Sequence, residues 1–416
     1  MTTNIEKSPG SLINLEVILS EQEFKSYWED AHSRAVVNLE IKGFRKGAAP
    51  EELARQAIDK EKVFEHAAHE AVRSSLNTII QEHNWTVIDQ PKIEVIEASP
   101  LVSAGSAKKL GLKYKADLVV FPEVELGNYK KIAHKVLAQK SAVQIEPQEV
   151  DKTLELVRGS RSKITLANRR AAVGDLIEAD ISSSAQGKPI EGGHLNNDRF
   201  VLGESHFMPG FDEQLMNHSA GETVEFYLTA PEDYWHKDLG GKKIDFQVKL
   251  KSVFDRKLPE LNDEFAKSLG PNFSSIADVR ESVSKGLAFE KEEKEKDRIR
   301  AKMLQEIVKA SRIDPPEIMV DKTLDTLIKE VKAMVKHSEA DPYTDAELKK
   351  ELGNKARERL LANLVIHKIV ETEHLEPTAE EIKDEARLRN LDPEKNYDYN
   401  YGIVQHRKVF EFLERQ

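Results

Sequence analysis

Hydrophobic positions along this chain keep three rhythms in turn. In residues 11–19, Leu15, Val17 and Leu19 alternate with other residues, the period of a half-buried strand. From residue 21 to about 39 the pattern turns helical, and Ser20 with Glu23 three positions on makes a capping box at its start. Pro50 suits a first helical position. It is expected to open a long helix whose apolar stripe runs through Leu53, Ala57, Phe64, Ala68, Ala71, Leu76 and Ile79 to about His83. Strands at 85–97 and 110–121 complete an α+β unit.

Pro122 and Pro147 bound a polar connector, and beyond it the rhythm shortens. A helical piece at 149–160 leads into short alternating segments at 175–183, 198–202, 222–229 and 244–254. Turn signals punctuate them at Gln186-Gly187, Gly192-Gly193, Pro209-Gly210 and Gly240-Gly241. One brief helix, Gly210 to Met216, suggests a small antiparallel sheet wrapped on a helix.

After Pro259 the spacing is helical almost throughout. Nine consecutive charged residues, Glu290 to Arg298, lie between Val279, Val283 and Leu287 on one side and Ile299, Met303 and Ile307 on the other. Mixed signs at i,i+4 read as a solvated helix face. Pro315-Pro316 separates this helix from a second carrying Leu324, Leu327, Ile328 and Val331, and a third runs from about Asp345 to His374. Helices this long and polar read as arms with apolar inner faces, suited to holding unfolded chains. The expected architecture is multidomain α+β. An N-terminal α+β domain spans 1–121, a connector 122–150, an antiparallel β domain 151–256, and an elongated all-α domain with arms 257–416.

Composition narrows the functional classes. The chain has 416 residues, 32% of them charged and 6% aromatic, with a net charge of −11, so any contact with nucleic acid is expected to be local. It has no cysteine, hence no disulfide framework and no thiolate chemistry. The N-terminus lacks the apolar core of a signal peptide, and no window approaches the roughly 18 apolar residues of a membrane span. A soluble, cytoplasmic protein without membrane contact is expected. His66 and His69 lie three apart on a helix without a third ligand in view, and no phosphate-binding glycine loop occurs, so neither a metal nor a nucleotide cofactor is expected.

Residues 42–50, Lys-Gly-Phe-Arg-Lys-Gly-Ala-Ala-Pro, carry the sharpest local signal. Glycines 43 and 47 permit a tight turn that projects Phe44, Arg45 and Lys46. Cations around an exposed ring suit a partner of phosphate and protein together; a solvated basic turn is the competing reading.

The loop, the glycine-punctuated β unit and the terminal helices together resemble trigger factor, the bacterial ribosome-associated chaperone and prolyl isomerase, over essentially the whole chain. The family signature Gly-Phe-Arg-x-Gly-Lys-x-Pro appears here as Gly43-Phe44-Arg45-Lys46-Gly47-Ala48-Ala49-Pro50. The resemblance implies that Gly43, Phe44, Arg45, Lys46, Gly47 and Pro50 dock on the large ribosomal subunit beside the peptide-exit tunnel. Ala48 stands where the family has lysine, which removes one cation. The middle domain resembles the FKBP fold through Val173-Gly174-Asp175, Glu191-Gly192-Gly193, Phe200-Val201-Leu202-Gly203, Phe207-Met208-Pro209-Gly210-Phe211 and Pro231-Glu232-Asp233-Tyr234. By that resemblance Phe211 floors a pocket walled by Phe200, Phe207, Met208, Tyr234 and Phe246, with Glu191 at its edge. Ile181 and Ile190 take places where the family usually has phenylalanine, which thins the aromatic wall. Core packing of a β domain is the competing reading of these residues.

The implied chemistry makes and breaks no covalent bond. Amide resonance sets a rotation barrier of roughly 18–20 kcal/mol, and the twisted amide has less charge separation than the planar one. A dry apolar pocket therefore favours the transition state over the ground state. The function implied is an ATP-independent, ribosome-associated chaperone that shields nascent and unfolded polypeptides, isomerises X-Pro bonds and dimerises when free. Two alternatives stay open: a stand-alone isomerase with helical dimerisation or client-docking arms, and a chaperone whose isomerase domain is inactive.

Overall fold

The computed structural model describes residues 1–39, 44, 53, 57–98, 111–205, 207–232, 234, 239–335 and 344–416; the side chains of Ala98, Glu191, Met334 and Val335 also lie outside the described set. The chain forms two compact units, Met1–Lys140 with Lys296–Gln416, and Ser141–Glu295.

The first unit opens with an antiparallel sheet in the order β1-β2-β4-β3, built from β1 (Thr2–Ser8), β2 (Leu12–Leu19), β3 (Lys92–Ala98) and β4 (Leu112–Val119). The alternation in β2 holds, since Ile13, Leu15, Val17 and Leu19 are all buried. They pack with Phe24 of α1 (Glu21–Asn38) and with Ala67, Ala71 and Ile79 of α2 (Lys60–Glu82). The predicted cap of α1 is present: the Glu23 carboxylate accepts from the Ser20 N–H at 2.8 Å and its hydroxyl at 2.7 Å. Tyr114 is fully buried in this core because its hydroxyl shares a 2.7 Å hydrogen bond with Ser75, itself anchored on the Ala71 carbonyl at 2.6 Å. Burial raises the Tyr114 phenol above its ordinary value.

One strand is unforeseen and two expectations change here. Strand β1 has no apolar alternation to betray it, Ile5 being its one aliphatic residue, and it exists by pairing with β2 from Thr2↔Ile18 to Ser8↔Leu12. The strand expected at 85–97 begins only at Lys92, after Pro91, although Val87 still meets Val120 in an isolated bridge. Helix α2 begins at Lys60 under its own cap, with Asp59 accepting from the N–H groups of Glu61 at 3.1 Å and Lys62 at 3.3 Å. Pro50, the expected opening residue, lies outside the described residues.

The rest of the first unit is helical. It comprises α3 (Tyr129–Leu137), the part of α7 (Ile276–Ala310) beyond Lys296, α8 (Glu317–Val335), α9 (Asp345–Glu373), α10 (Ala379–Leu388) and α11 (Tyr397–Leu413). Val124–Glu125 (β5) and Arg312–Ile313 (β11) form a two-stranded ladder. The core is aliphatic, with Ala133, Met303, Ile307, Ile366, Ile369, Val409 and Leu413 all buried. One buried charge is compensated: the Glu385 carboxylate, on α10, takes Arg389 at 2.7 Å and Arg407 of α11 at 2.5 Å. Those cations hold it below the ordinary carboxylate value.

In the second unit α4 (Pro147–Ser160), α6 (Asp263–Leu269) and the beginning of α7 bury Val150, Leu154, Ala266 and Val279. Lys285–Glu281 and Lys294–Glu290 pairs line the solvated face of α7, as the charge pattern predicted. A capping box starts this helix. The Asp278 carboxylate accepts from the Ser274 hydroxyl at 2.6 Å, the Ser274 N–H at 2.9 Å and the Ser275 N–H at 2.8 Å. These bonds, the Ser274 hydroxyl foremost, lower its pKa from 3.8 to about 2. A depressed carboxyl gives stability that is complete above its ordinary value and is lost as pH falls toward 2. The protection factors of the amides at residues 276–279, taken against the intrinsic exchange rate at each pH, are therefore expected to fall on acidification from about pH 5 to 2. Asp278→Asn is expected to lose that pH dependence; identical pH profiles in the two proteins would remove the carboxylate from the cap.

The sheet of the second unit runs β6-β10-β7-β8, with β9 also paired to β10. Its strands are β6 (Lys163–Leu166), β7 (Leu176–Ala185), β8 (Lys188–Val201), β9 (Thr223–Thr229) and β10 (Lys243–Lys257), and α5 (Phe211–Leu215) packs on one face. The Gln186-Gly187 turn is as expected: φ of 53° and 76° at the two central residues makes a tight hairpin whose twist matches the strands. Gly192-Gly193 is not a turn. It lies inside β8, which begins at Lys188 instead of 198, beside a register shift against β7. A side chain at Gly193 would come within 2.2 Å of the Ser183 hydroxyl, so Gly193 serves close strand approach, while Gly192 supplies a left-handed φ of 72° at the irregularity.

Candidate functional site

The site residues expected in the middle domain converge on one face of this sheet. Ile181 (β7), Phe200 (β8), Met208, Phe211 (α5), Phe246 (β10), Phe207 and Tyr234 all belong to a single apolar cluster, with Ile190 at its margin. Phe211 is its hub. Its ring stacks on Phe207 at 4.4 Å and meets Phe200, Phe226 and Phe246 edge to face at 6.0, 5.4 and 5.3 Å. Offset and edge-on contacts at these separations each add roughly 0.5–1.5 kcal/mol beyond area burial.

Local chemistry places the hub. Gly210 holds φ at 88°, a left-handed conformation that costs glycine nothing, and turns the chain directly into α5. Asp212, in the first turn of α5, accepts from the Gly203 N–H at 2.7 Å, the Ser205 N–H at 3.2 Å and the Ser205 hydroxyl. These bonds fold the 203–208 loop back onto the helix, bringing Phe207 over Phe211. On the entry to β7, the nearly buried Asp175 binds Arg169 through two hydrogen bonds of 2.6 and 2.8 Å and takes the Ala172 N–H at 2.8 Å. Arg169 also reaches Asp255 on β10 at 3.0 Å, and these carboxylates raise its pKa. This is a structural clamp outside the ring cluster.

Burial divides the cluster into two layers. Phe211, Ile181, Met208, Phe246 and Phe200 are 0, 2, 5, 8 and 9% exposed, whereas Phe207, Tyr234, Phe226 and Ile190 are half-buried. Only the second layer is within reach of a substrate; the first supports it. Phe226 did not figure among the expected site residues. The signal that finds it is the alternation in β9, where Val224, Phe226 and Leu228 face the cluster and Glu225 and Tyr227 face away. A groove of about 780 Å³ crosses the same sheet, lined in part by Ser182, Ser184, Glu225, Asp245 and Gln247. Ile190, Phe226 and Phe246 also line it, so the groove opens onto the ring cluster and is bordered by these polar side chains of β7, β9 and β10. The Glu191 side chain lies outside the described residues.

Of the expected docking residues, only Phe44 is described, and it is 44% exposed; Gly43, Arg45, Lys46, Gly47 and Pro50 lie outside the described residues. In the first unit a cleft of about 820 Å³ gathers Trp85, Phe121, Arg312, His367, Lys368 and Glu371 among its lining. Among the described residues no group of three or more histidines and carboxylates is placed to hold a metal, and no helix is long and apolar enough to cross a membrane.

Comparison with known proteins places this geometry. The family model of the bacterial trigger factor protein matches residues 1–157, that of the trigger factor C-terminus 275–415, and that of FKBP-type peptidyl-prolyl cis-trans isomerase 167–251. The relative named Trigger factor from Carboxydothermus hydrogenoformans is 31% identical, over 99% of this chain and 98% of its own. The chain belongs to the trigger factor family. A Trigger factor of Lactobacillus delbrueckii subsp. bulgaricus is 29% identical over 99% of this chain and 92% of its own length. A solved trigger factor chaperone, characterised for promiscuous substrate recognition in folding and assembly, covers both chains fully with a TM-score of 0.51 at 19% identity, a likeness of fold. This trigger factor family member is therefore a ribosome-associated chaperone carrying an FKBP-type prolyl isomerase domain, and its partners are the ribosome and nascent chains. The reading as a stand-alone isomerase is not favoured.

Proposed function

We propose that X-Pro bonds turn over the half-buried layer of the ring cluster, with Phe211 as floor, Phe207 and Tyr234 as walls that touch the prolyl ring, and Met208, Phe200, Phe246 and Ile181 as the support behind them. The observation that carries this is the packing of Phe211 against four other rings on a helix set into the sheet. Such a surface excludes water without offering a charge, which suits a transition state less polar than its ground state. Glu191 is assigned to the pocket edge on the sequence pattern alone.

Isomerase activity on a short X-Pro peptide tests the assignment, because a short peptide gives the chaperone surfaces little to hold. Phe207→Ala and Tyr234→Ala are each expected to lower kcat/KM by about tenfold, the loss of roughly 1.4 kcal/mol of transition-state binding. Native rates in both variants would place the chemistry elsewhere.

On the remaining points, the Gly43–Gly47 loop with Pro50 is assigned to ribosome docking, supported by its match to the family signature and by the exposed Phe44 ring. The division into 1–121 (docking), 122–150 (connector), 151–256 (isomerase) and 257–416 (chaperone arms) is kept as the functional division of the chain. Ribosome association supports a cytoplasmic location. Self-association of the free protein is supported by apolar side chains left open on the N-terminal sheet, Ile93 and Val95 being 46 and 48% exposed.

A further inference from the structure

We propose that Phe226 is a substrate-contacting wall of the isomerase pocket, supplying from β9 the aromatic surface that the β7–β8 side does not provide. The inference rests on reading the ring cluster as the isomerase site. Within that cluster Phe200, Phe211 and Phe246 are too buried to meet a substrate, at 9, 0 and 8% exposure. Among the described residues the rings left partly open are Phe207, Tyr234 and Phe226. Besides the buried Phe200, the β7–β8 side contributes two aliphatic residues, Ile181 at 2% exposure and Ile190, half-buried. A pocket limited to Phe207 and Tyr234 would have rings only on the segments before α5 and after β9. Phe226 adds a third, from within the sheet.

Its geometry suits a wall. Phe226 and Phe246 are direct cross-strand partners in the β9–β10 register, so both project from the same face. Their rings stack at 5.5 Å with an interplanar angle of 22°, and Phe226 meets the hub, Phe211, edge to face at 5.4 Å and 67°. A ring held by two buried rings has few alternative positions, so it presents a fixed surface with little entropy to lose on binding. Phe226 is also the one of the three open rings that rides on a strand paired along its whole length, from Thr223↔Lys249 to Thr229↔Lys243. Phe207 and Tyr234 lie outside the named helices and strands. The wall on the β9 side is thus the rigid one, against which the proline is pressed.

The test compares kcat and KM for a short X-Pro peptide, with thermal midpoints, in the native protein, Phe226→Leu, Phe226→Leu/Ile190→Phe and Phe211→Leu. Leucine keeps most of the apolar volume, so a role confined to core packing would show in the thermal midpoint and leave kcat/KM unchanged. The expected result is a fall of about tenfold in kcat/KM for Phe226→Leu, with at least part of the loss recovered when Ile190→Phe returns a ring to the opposite side. Native kcat/KM in Phe226→Leu with an impaired Phe211→Leu would overturn the inference and leave the site where it is. Native kcat/KM in both would remove the site and the inference together. A stably folded double variant no more active than Phe226→Leu would also count against the wall, since the missing element would then not be aromatic surface.

Discussion

Phe211→Ala is expected to abolish prolyl isomerase activity and to cost the isomerase unit about 3–5 kcal/mol of stability, the usual range for a fully buried phenylalanine. Two physical terms add. The side chain is 0% exposed, so its removal loses the whole transfer free energy and leaves a cavity. That cavity opens among four rings at 4.4 to 6.0 Å, each of which loses its partner at once. A domain with total stability of about 5–15 kcal/mol does not absorb such a change easily. Phe211→Leu separates the two roles. It keeps an apolar side chain in the core and so costs less than alanine, yet it removes the ring on which Phe207 stacks and the other three ring contacts, roughly 0.5–1.5 kcal/mol each. Activity lost in Phe211→Leu with the fold retained is the expected outcome. Full activity in a folded Phe211→Leu protein would show that the hub is packing alone.

How far the sequence could be read depended on whether a feature was local or borne by a partner. The β2 alternation, the Ser20–Glu23 box and the Gln186-Gly187 turn each act within a few residues, and each is present in the structure. Strand β1 carries no such internal signal: its backbone groups are satisfied by β2, and only that pairing makes it a strand. Gly192-Gly193 misled for a related reason. A glycine pair in isolation signals a turn, but here Gly192 takes a left-handed φ within β8 and Gly193 allows the strand to approach Ser183, a contact 10 residues away along the chain. The start of α2 was hidden by a continuous apolar stripe, whereas an aspartate cap at residue 59 sets it.

The site was legible as a set of residues and less so as a surface. The family resemblance named Phe200, Phe207, Met208, Phe211, Tyr234 and Phe246, and they do come together. No sequence pattern distinguishes a ring at 0% exposure from one left half open, since that depends on what the opposite strand contributes. Phe226 was overlooked because it belongs to no motif; its place follows from strand register. Ile181 and Ile190 likewise read as a thinned wall until the position of Phe226 showed a ring arriving from another strand.

The largest effect expected outside the isomerase unit concerns docking. Phe44, Arg45 and Lys46 combine one apolar ring with two cations. On a chain of net charge −11, that local basic character is the part able to meet a phosphate-rich surface. Ala48 stands where the family signature has a lysine, so the contact is expected to depend more heavily on these three side chains and to weaken as salt rises, with the modest slope of a few cations. Truncating all three removes the ring and both charges while leaving Gly43, Gly47 and Pro50 to shape the backbone. Loss of ribosome binding by at least about tenfold, or 1.4 kcal/mol, is expected, with isomerase activity on a short peptide unchanged.

The most direct measurement is therefore co-sedimentation with ribosomes of the native protein and the Phe44→Ala/Arg45→Ala/Lys46→Ala variant, at low and moderate salt. Native protein in the ribosomal pellet, diminished by salt, with the variant left in the supernatant, is the predicted result. A variant that pellets as fully as the native chain at both salt concentrations would contradict the docking assignment.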